Sequence, residues 1–141
     1  MTSTTVTSSY DWCNNIIGST LNQKYKHDFT LIDIDGASWC NYTSASKSYD
    51  RLILYESKWG NEKLKDRQEM LLHLLSDNLN WDKLDYQSGV YLLRVRSPKQ
   101  ECLPEDTQID VYRFVPNYQH VAFKRWITMS ELYNWFSCKD V

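Results

Sequence analysis

The sequence predicts an α/β fold in which a mixed central β-sheet is flanked by helices. Three observations predict it. Short segments rich in Ile, Val, Leu and Tyr alternate with segments whose leucines recur at helical spacing. Glycine and proline number only 4 and 3 among 141 residues, so the elements are interrupted rarely. The 42% hydrophobic and 24% charged content is that of a globular chain long enough to bury a core. Its length suits one domain, expected over 9–141 behind a disordered tail at 1–8.

The elements follow in order. Residues 9 to 22 are expected to be helical, with Ser8 or Ser9 as cap and Trp12, Cys13, Ile16, Ile17 and Leu21 on one stripe. Phe29 to about Tyr42 begins as a strand, residues 43 to 48 are a small polar turn, and Tyr49 to Trp59 is a second strand. Asn61 to about Asp77 is the clearest helix. Asn61 can cap it, Glu62 suits its positive first turn, and Leu64, Leu71, Leu72 and Leu75 form its apolar stripe. Val90 to Arg96 and Ile109 to Val115 are strands separated by a polar loop with Pro98 and Pro104. His120 to Trp126 is a further strand. Thr128 or Ser130 caps a last helix that turns Leu132, Trp135 and Phe136 inward. The order is α-β-β-α-β-β-(β)-α.

Composition excludes several classes of function. A net charge of −2 does not coat nucleic acid by bulk electrostatics, so phosphate binding needs a local site. Apolar runs are too short to span a membrane. Met1 to Ser9 lacks the basic and apolar regions of a signal peptide. Cys13, Cys40, Cys102 and Cys138 are widely spaced, which argues against a zinc knuckle and predicts buried free thiols in a reducing, cytoplasmic setting.

The chemistry concentrates in the expected hairpin. If it closes about Ala45-Ser46, opposed residues have numbers summing to 91. Asp35 then faces Glu56 and Asp33 faces Lys58. Strand alternation puts Asp33 with Asp35, and Glu56 with Lys58, on one face. Opposed side chains have Cβ atoms about 5 Å apart, so two carboxylates repel unless a cation intervenes. Lys58 offsets part of this repulsion. Mg²⁺ or Mn²⁺, which prefer carboxylate oxygens, offset it better.

These residues resemble the PD-(D/E)XK, or restriction-endonuclease-like, nuclease superfamily. The matching segments are Leu31-Ile32-Asp33-Ile34-Asp35-Gly36 and Leu52-Ile53-Leu54-Tyr55-Glu56-Ser57-Lys58, within an α-β-β-α-β order over roughly residues 10 to 96. Extra C-terminal strands and a helix follow that core. The resemblance implies that Asp35 and Glu56 hold Mg²⁺ or Mn²⁺ and that Lys58 is the catalytic lysine. Asp33 is then an auxiliary acid, or the metal ligand if the register shifts by two. Family members also place a glutamine on the following helix, a role Gln68 suits because it is in phase with Leu64, Leu71 and Leu75. One departure is plain: no glutamate precedes Glu56, so the first-helix acid of the family is lost or replaced by Asp11 or Gln23.

The implied reaction is metal-assisted hydrolysis of a phosphodiester, in DNA rather than RNA. The ion polarises the phosphate and lowers the pKa of its water to about 7. Lys58 then stabilises the charge that develops. Lys47, Arg51, Lys63, Lys65 and Arg67 surround the site in sequence, and Arg94, Arg96, Lys124 and Arg125 form further basic clusters. Trp39 and Trp59 flank it and offer stacking surfaces. A homodimer is the simplest way for one small site to cut two strands. The same carboxylates and lysine also suit cross-strand salt bridges, and the basic clusters an ordinary solvated surface. His27, His73 and His120 are isolated, as structural or exposed histidines are. Two other functions remain open. One is a nuclease-like core kept as a nucleic-acid-binding or assembly module. The other is a haloacid-dehalogenase-type phosphatase using Asp33 and Asp35.

Overall fold

Ala45 and Ser46, both with positive φ, turn the chain between β1 (Gly36–Ser44) and β2 (Lys47–Trp59). Two consecutive left-handed residues match the twist of an antiparallel pair. The pairing runs from Gly36 opposite Tyr55 to Ser44 opposite Lys47, so every pair sums to the expected 91. The computed structural model describes residues 34–98 and 100–141. The expected first helix, Cys13, His27 and Asp33 lie outside the described residues, and so do the substitutes Asp11 and Gln23.

The chain then forms α1 (Asp66–Asn78), a single 3-10 turn (Trp81–Lys83), β3 (Gly89–Val95), β4 (Ile109–Val115), β5 (Gln119–Ile127) and α2 (Met129–Phe136). The sheet order is β1-β2-β3-β4-β5. β3 is parallel to β2 and all other neighbours are antiparallel. A parallel neighbour needs a crossover, and α1 supplies it. The expected mixed sheet with flanking helices is therefore present. No helix among the described residues is long and apolar enough to cross a membrane.

Alternation gives the sheet two apolar faces. On one, Ile53, Tyr91, Leu93, Ile109 and Val111 pack against Leu132 and Trp135 of α2. On the other, Leu54, Val90, Leu92 and Phe114 meet Leu72 and Leu75 of α1. α2 starts as expected at Thr128, whose hydroxyl accepts the Glu131 N–H at 3.3 Å while Glu131 Oε1 accepts the Thr128 N–H at 3.1 Å. α1 starts later than expected. Glu62 Oε1 accepts the Trp59 N–H at 2.9 Å, which ties residues 59–62 into a turn and delays the helix to Asp66.

The cysteine expectation is corrected. Cys40 of β1 and Cys138 after α2 form a disulfide, and Cys102 is free but exposed. The bridge lies where the C-terminal segment crosses the hairpin, next to a hydrogen bond from Ser38 Oγ to the Phe136 carbonyl at 3.0 Å. A disulfide removes the reason for assigning a reducing compartment.

Candidate catalytic site at the end of the second strand

Ile53 and Tyr55 face α2, so Leu54, Glu56 and Lys58 face α1. Glu56 is only 4% exposed, and a carboxylate buried so deeply needs partners. Its Oε1 accepts the backbone N–H of Asp35 at 3.0 Å. Its Oε2 accepts the Gln68 side-chain N–H at 3.0 Å, and Lys58 Nζ stands 3.8 Å from the same oxygen. Gln68 reaches it from the first turn of α1. The Lys65 N–H lies 3.4 Å from Gln68 Oε1, so the amide presents oxygen to the helix start and nitrogen to Glu56.

Asp35, expected inside a strand, sits one residue before β1. Its Oδ2 accepts both the Ser57 N–H at 2.7 Å and the Ser57 hydroxyl at 2.5 Å. The side chain thus continues the ladder where β1 has not yet begun. Its Oδ1 accepts no hydrogen bond from a described residue. Gly36 makes this approach possible. A Cβ there would lie 2.6 Å from the Tyr55 hydroxyl oxygen and 2.8 Å from its ring. Burial, helped by the Asp35 charge, holds the Tyr55 phenol above its ordinary pKa and keeps it protonated.

The site continues sideways. Lys58 pairs with Arg94 across β2 and β3, and Arg94 with Asp110 across β3 and β4, giving one charged row on the α1 face. Arg94 Nη1 donates to the Gly60 and Glu62 carbonyls at 3.0 and 2.6 Å, which pins the turn leaving β2.

The structure therefore brings Asp35, Glu56, Lys58 and Gln68 together. Lys47, Lys63, Lys65 and Arg67 are exposed, Lys47 at the hairpin tip and the others around the start of α1. Arg51, expected to meet phosphate, is corrected. It is 1% exposed, lies on the α2 face in phase with Ile53, and pairs with Asp85 at 3.3 Å and Asp140 at 2.7 Å. Trp39 pairs with Leu52, away from Glu56, and its indole N–H donates to Asp50 at 3.1 Å. His73 is buried between the Phe114 and Tyr118 rings. Ser57 and Arg94 position the site; Ser57 was not singled out from the sequence, and Arg94 was read there only as part of a basic cluster. Their signal was adjacency to the Glu-x-Lys pair, along the strand and across it.

Among the described residues, no group of three or more His, Cys, Asp or Glu side chains is placed to hold a metal ion. Asp35 and Glu56 are the two carboxylates the site offers, and Asp33 lies outside the described residues. Hard oxygen donors suit Mg²⁺, which is commonly held by one or two carboxylates with water and substrate phosphate completing its shell. No known protein family matches the chain, and no similar protein was found among curated sequences or solved structures.

Proposed function

We propose that the chain is a metal-dependent nuclease built on a restriction-endonuclease-like core, acting on DNA in preference to RNA. One observation carries the reading: a single buried carboxylate, Glu56, gathers Asp35, Lys58 and Gln68 from three separate segments. A hairpin leading through α1 into a parallel strand is the α-β-β-α-β order without its first helix, and supports the same reading.

In this account Asp35 and Glu56 hold Mg²⁺ or Mn²⁺, with Asp33 as the remaining acid. The ion, when bound, supplies charge to the scissile phosphate and an activated water. Lys58 places an ammonium beside that phosphate and stabilises the charge that grows on its oxygens. Gln68 orients Glu56, as outer-sphere donors orient metal ligands. The exposed Lys63 and Arg67 at the start of α1 offer contacts to flanking phosphates.

A second reading is a binding module without catalysis. It is favoured by the hold of Ser57 on Asp35 and by the limited donor set among the described residues. The phosphatase reading has less support, because its nucleophile strand belongs to a parallel βαβ series and β1 runs antiparallel to β2. The test is nicking of plasmid and single-stranded substrates with Mg²⁺ or Mn²⁺, comparing the parent with Lys58→Ala. The nuclease account expects metal-dependent nicking in the parent only. Binding without nicking under either metal supports the module. Phosphomonoester hydrolysis lost in Asp35→Asn supports the phosphatase.

A further inference from the structure

At the far end of the charged row stands a side chain that core packing does not explain. Trp126 is 59% exposed, yet its backbone is held at φ +61. That region is costly for an aromatic residue, and such strain persists only where surrounding groups enforce it. Here the group is Asp110, itself 4% exposed. Its Oδ1 accepts the Trp126 N–H at 3.0 Å. Its Oδ2 accepts Arg96 Nε at 2.8 Å and lies 2.6 Å from Arg96 Nη2. The Arg96 guanidinium lies 5.4 Å from the centroid of the Trp126 ring. One buried carboxylate thus sets a guanidinium over one face of an indole at the surface. Arg96 engages two of its five N–H donors on Asp110 and keeps three for a ligand.

The position ties this pair to the candidate site. β2 and β3 end together, Lys58 opposite Arg94 and Trp59 opposite Val95. β4 begins beside Val95, and β5 ends beside the start of β4. Trp126 and Lys58 therefore lie at the same end of the sheet, three strand spacings or about 14 Å apart. At 3.4 Å per stacked nucleotide, that span is about four nucleotides. The intervening side chains are Arg94 on β3 and the buried Asp110 on β4, and Arg125 beside Trp126 is exposed.

We infer that Trp126 and Arg96 form a stacking platform for an unpaired base, with Arg96 also contacting the adjoining phosphate, so that the ligand is single-stranded nucleic acid. The inference rests on the nuclease reading for what happens to the strand after it binds. A base inside a duplex is stacked on both faces by its neighbours and leaves none for the indole; a base in a single strand can turn a face to it. Charge selects a polyanion here, since Arg94, Arg96 and Arg125 outnumber the buried Asp110.

The test is fluorescence anisotropy with a labelled mixed-sequence oligonucleotide, single-stranded or annealed, in EDTA so that no cleavage intervenes. The parent is expected to prefer the single strand. Trp126→Gly is expected to weaken single-strand binding about fivefold to hundredfold and to leave duplex binding nearly unchanged. Glycine accepts φ +61 without strain, so this variant is also expected to melt at or above the parent temperature. Arg96→Ala is expected to weaken binding and flatten its salt dependence. Unchanged single-strand binding by Trp126→Gly overturns the inference. A marked fall in its melting temperature also overturns it, since Trp126 is then a packing residue. Trp126-dependent binding without Mg²⁺-dependent nicking keeps the platform and removes the nuclease. Nicking with Trp126-independent binding does the reverse.

Discussion

Gln68 Nε2 lies 3.0 Å from Glu56 Oε2, joining the first turn of α1 to the α1 face of β2. The bond makes the helix start part of the candidate site. Gln68→Ala is expected to lower nicking about 10- to 100-fold, as loss of an outer-sphere partner does, and to raise the metal concentration required. The hydrogen bond itself contributes only about 1 kcal/mol, so the variant is expected to fold normally by circular dichroism. Unchanged activity would make Gln68 a helix-capping residue only.

Gly36→Ala is expected to damage activity without touching a catalytic group. The new methyl meets the Tyr55 ring, and either Tyr55 or the start of β1 must move. Asp35 moves with it, because its backbone N–H and carboxylate both bind β2. A shift of about 1 Å costs on the order of 100-fold in rate. Tyr55→Phe in the Gly36→Ala background removes the hydroxyl oxygen nearest the methyl and is expected to restore part of the loss.

The buried Arg51–Asp85–Tyr42 cluster predicts how stability responds to pH. Burial opposes the Asp85 charge, but bonds from the Tyr42 hydroxyl, the Gln87 N–H and Arg51 outweigh it and hold the carboxyl below its ordinary 3.8. A depressed value stabilises the fold above about pH 4, and that contribution is lost as pH falls further. The bond to Asp85, with burial, pushes Tyr42 up to about 12 from its ordinary 10. Its contribution is complete below pH 10 and lost as pH rises through about 12. Denaturation midpoints across pH are expected to show both edges. Tyr42→Phe should remove the alkaline edge. Asp85→Asn should lower stability at pH 7 by about 3 kcal/mol, because Arg51 stays buried.

The Cys40–Cys138 bridge closes a loop of 98 residues. Chain-entropy arguments assign a crosslink of that span about 4 to 5 kcal/mol. Reductant is expected to lower the denaturation midpoint of the parent and to leave Cys40→Ser/Cys138→Ser unaffected, whereas Cys102→Ser should behave as the parent. A parent insensitive to reductant would contradict the bridge.

What the sequence revealed follows from local chemistry. The hairpin register was legible because small polar residues mark the turn and two apolar runs flank it. Gln68 was legible because its phase with three leucines fixes the face it occupies. The disulfide was not, since nothing near Cys40 points to a partner so distant. Arg51 misled because an arginine in a strand usually faces solvent. Its phase with Ile53 was the only hint, and its partners Asp85 and Asp140 come from remote loops. The platform at Trp126 was invisible because a β-bulge and a left-handed tryptophan have no sequence signature of their own. The late start of α1 came from a glutamate that caps a turn instead of a helix.

The most direct measurement is nicking of plasmid and single-stranded substrates as Mn²⁺ is titrated, in the parent and in Glu56→Gln. The substitution keeps the shape of Glu56 and removes its charge. The account predicts saturable, Mn²⁺-dependent nicking in the parent and none in Glu56→Gln at any metal concentration. Equal nicking by both proteins, or no nicking by the parent, would contradict it.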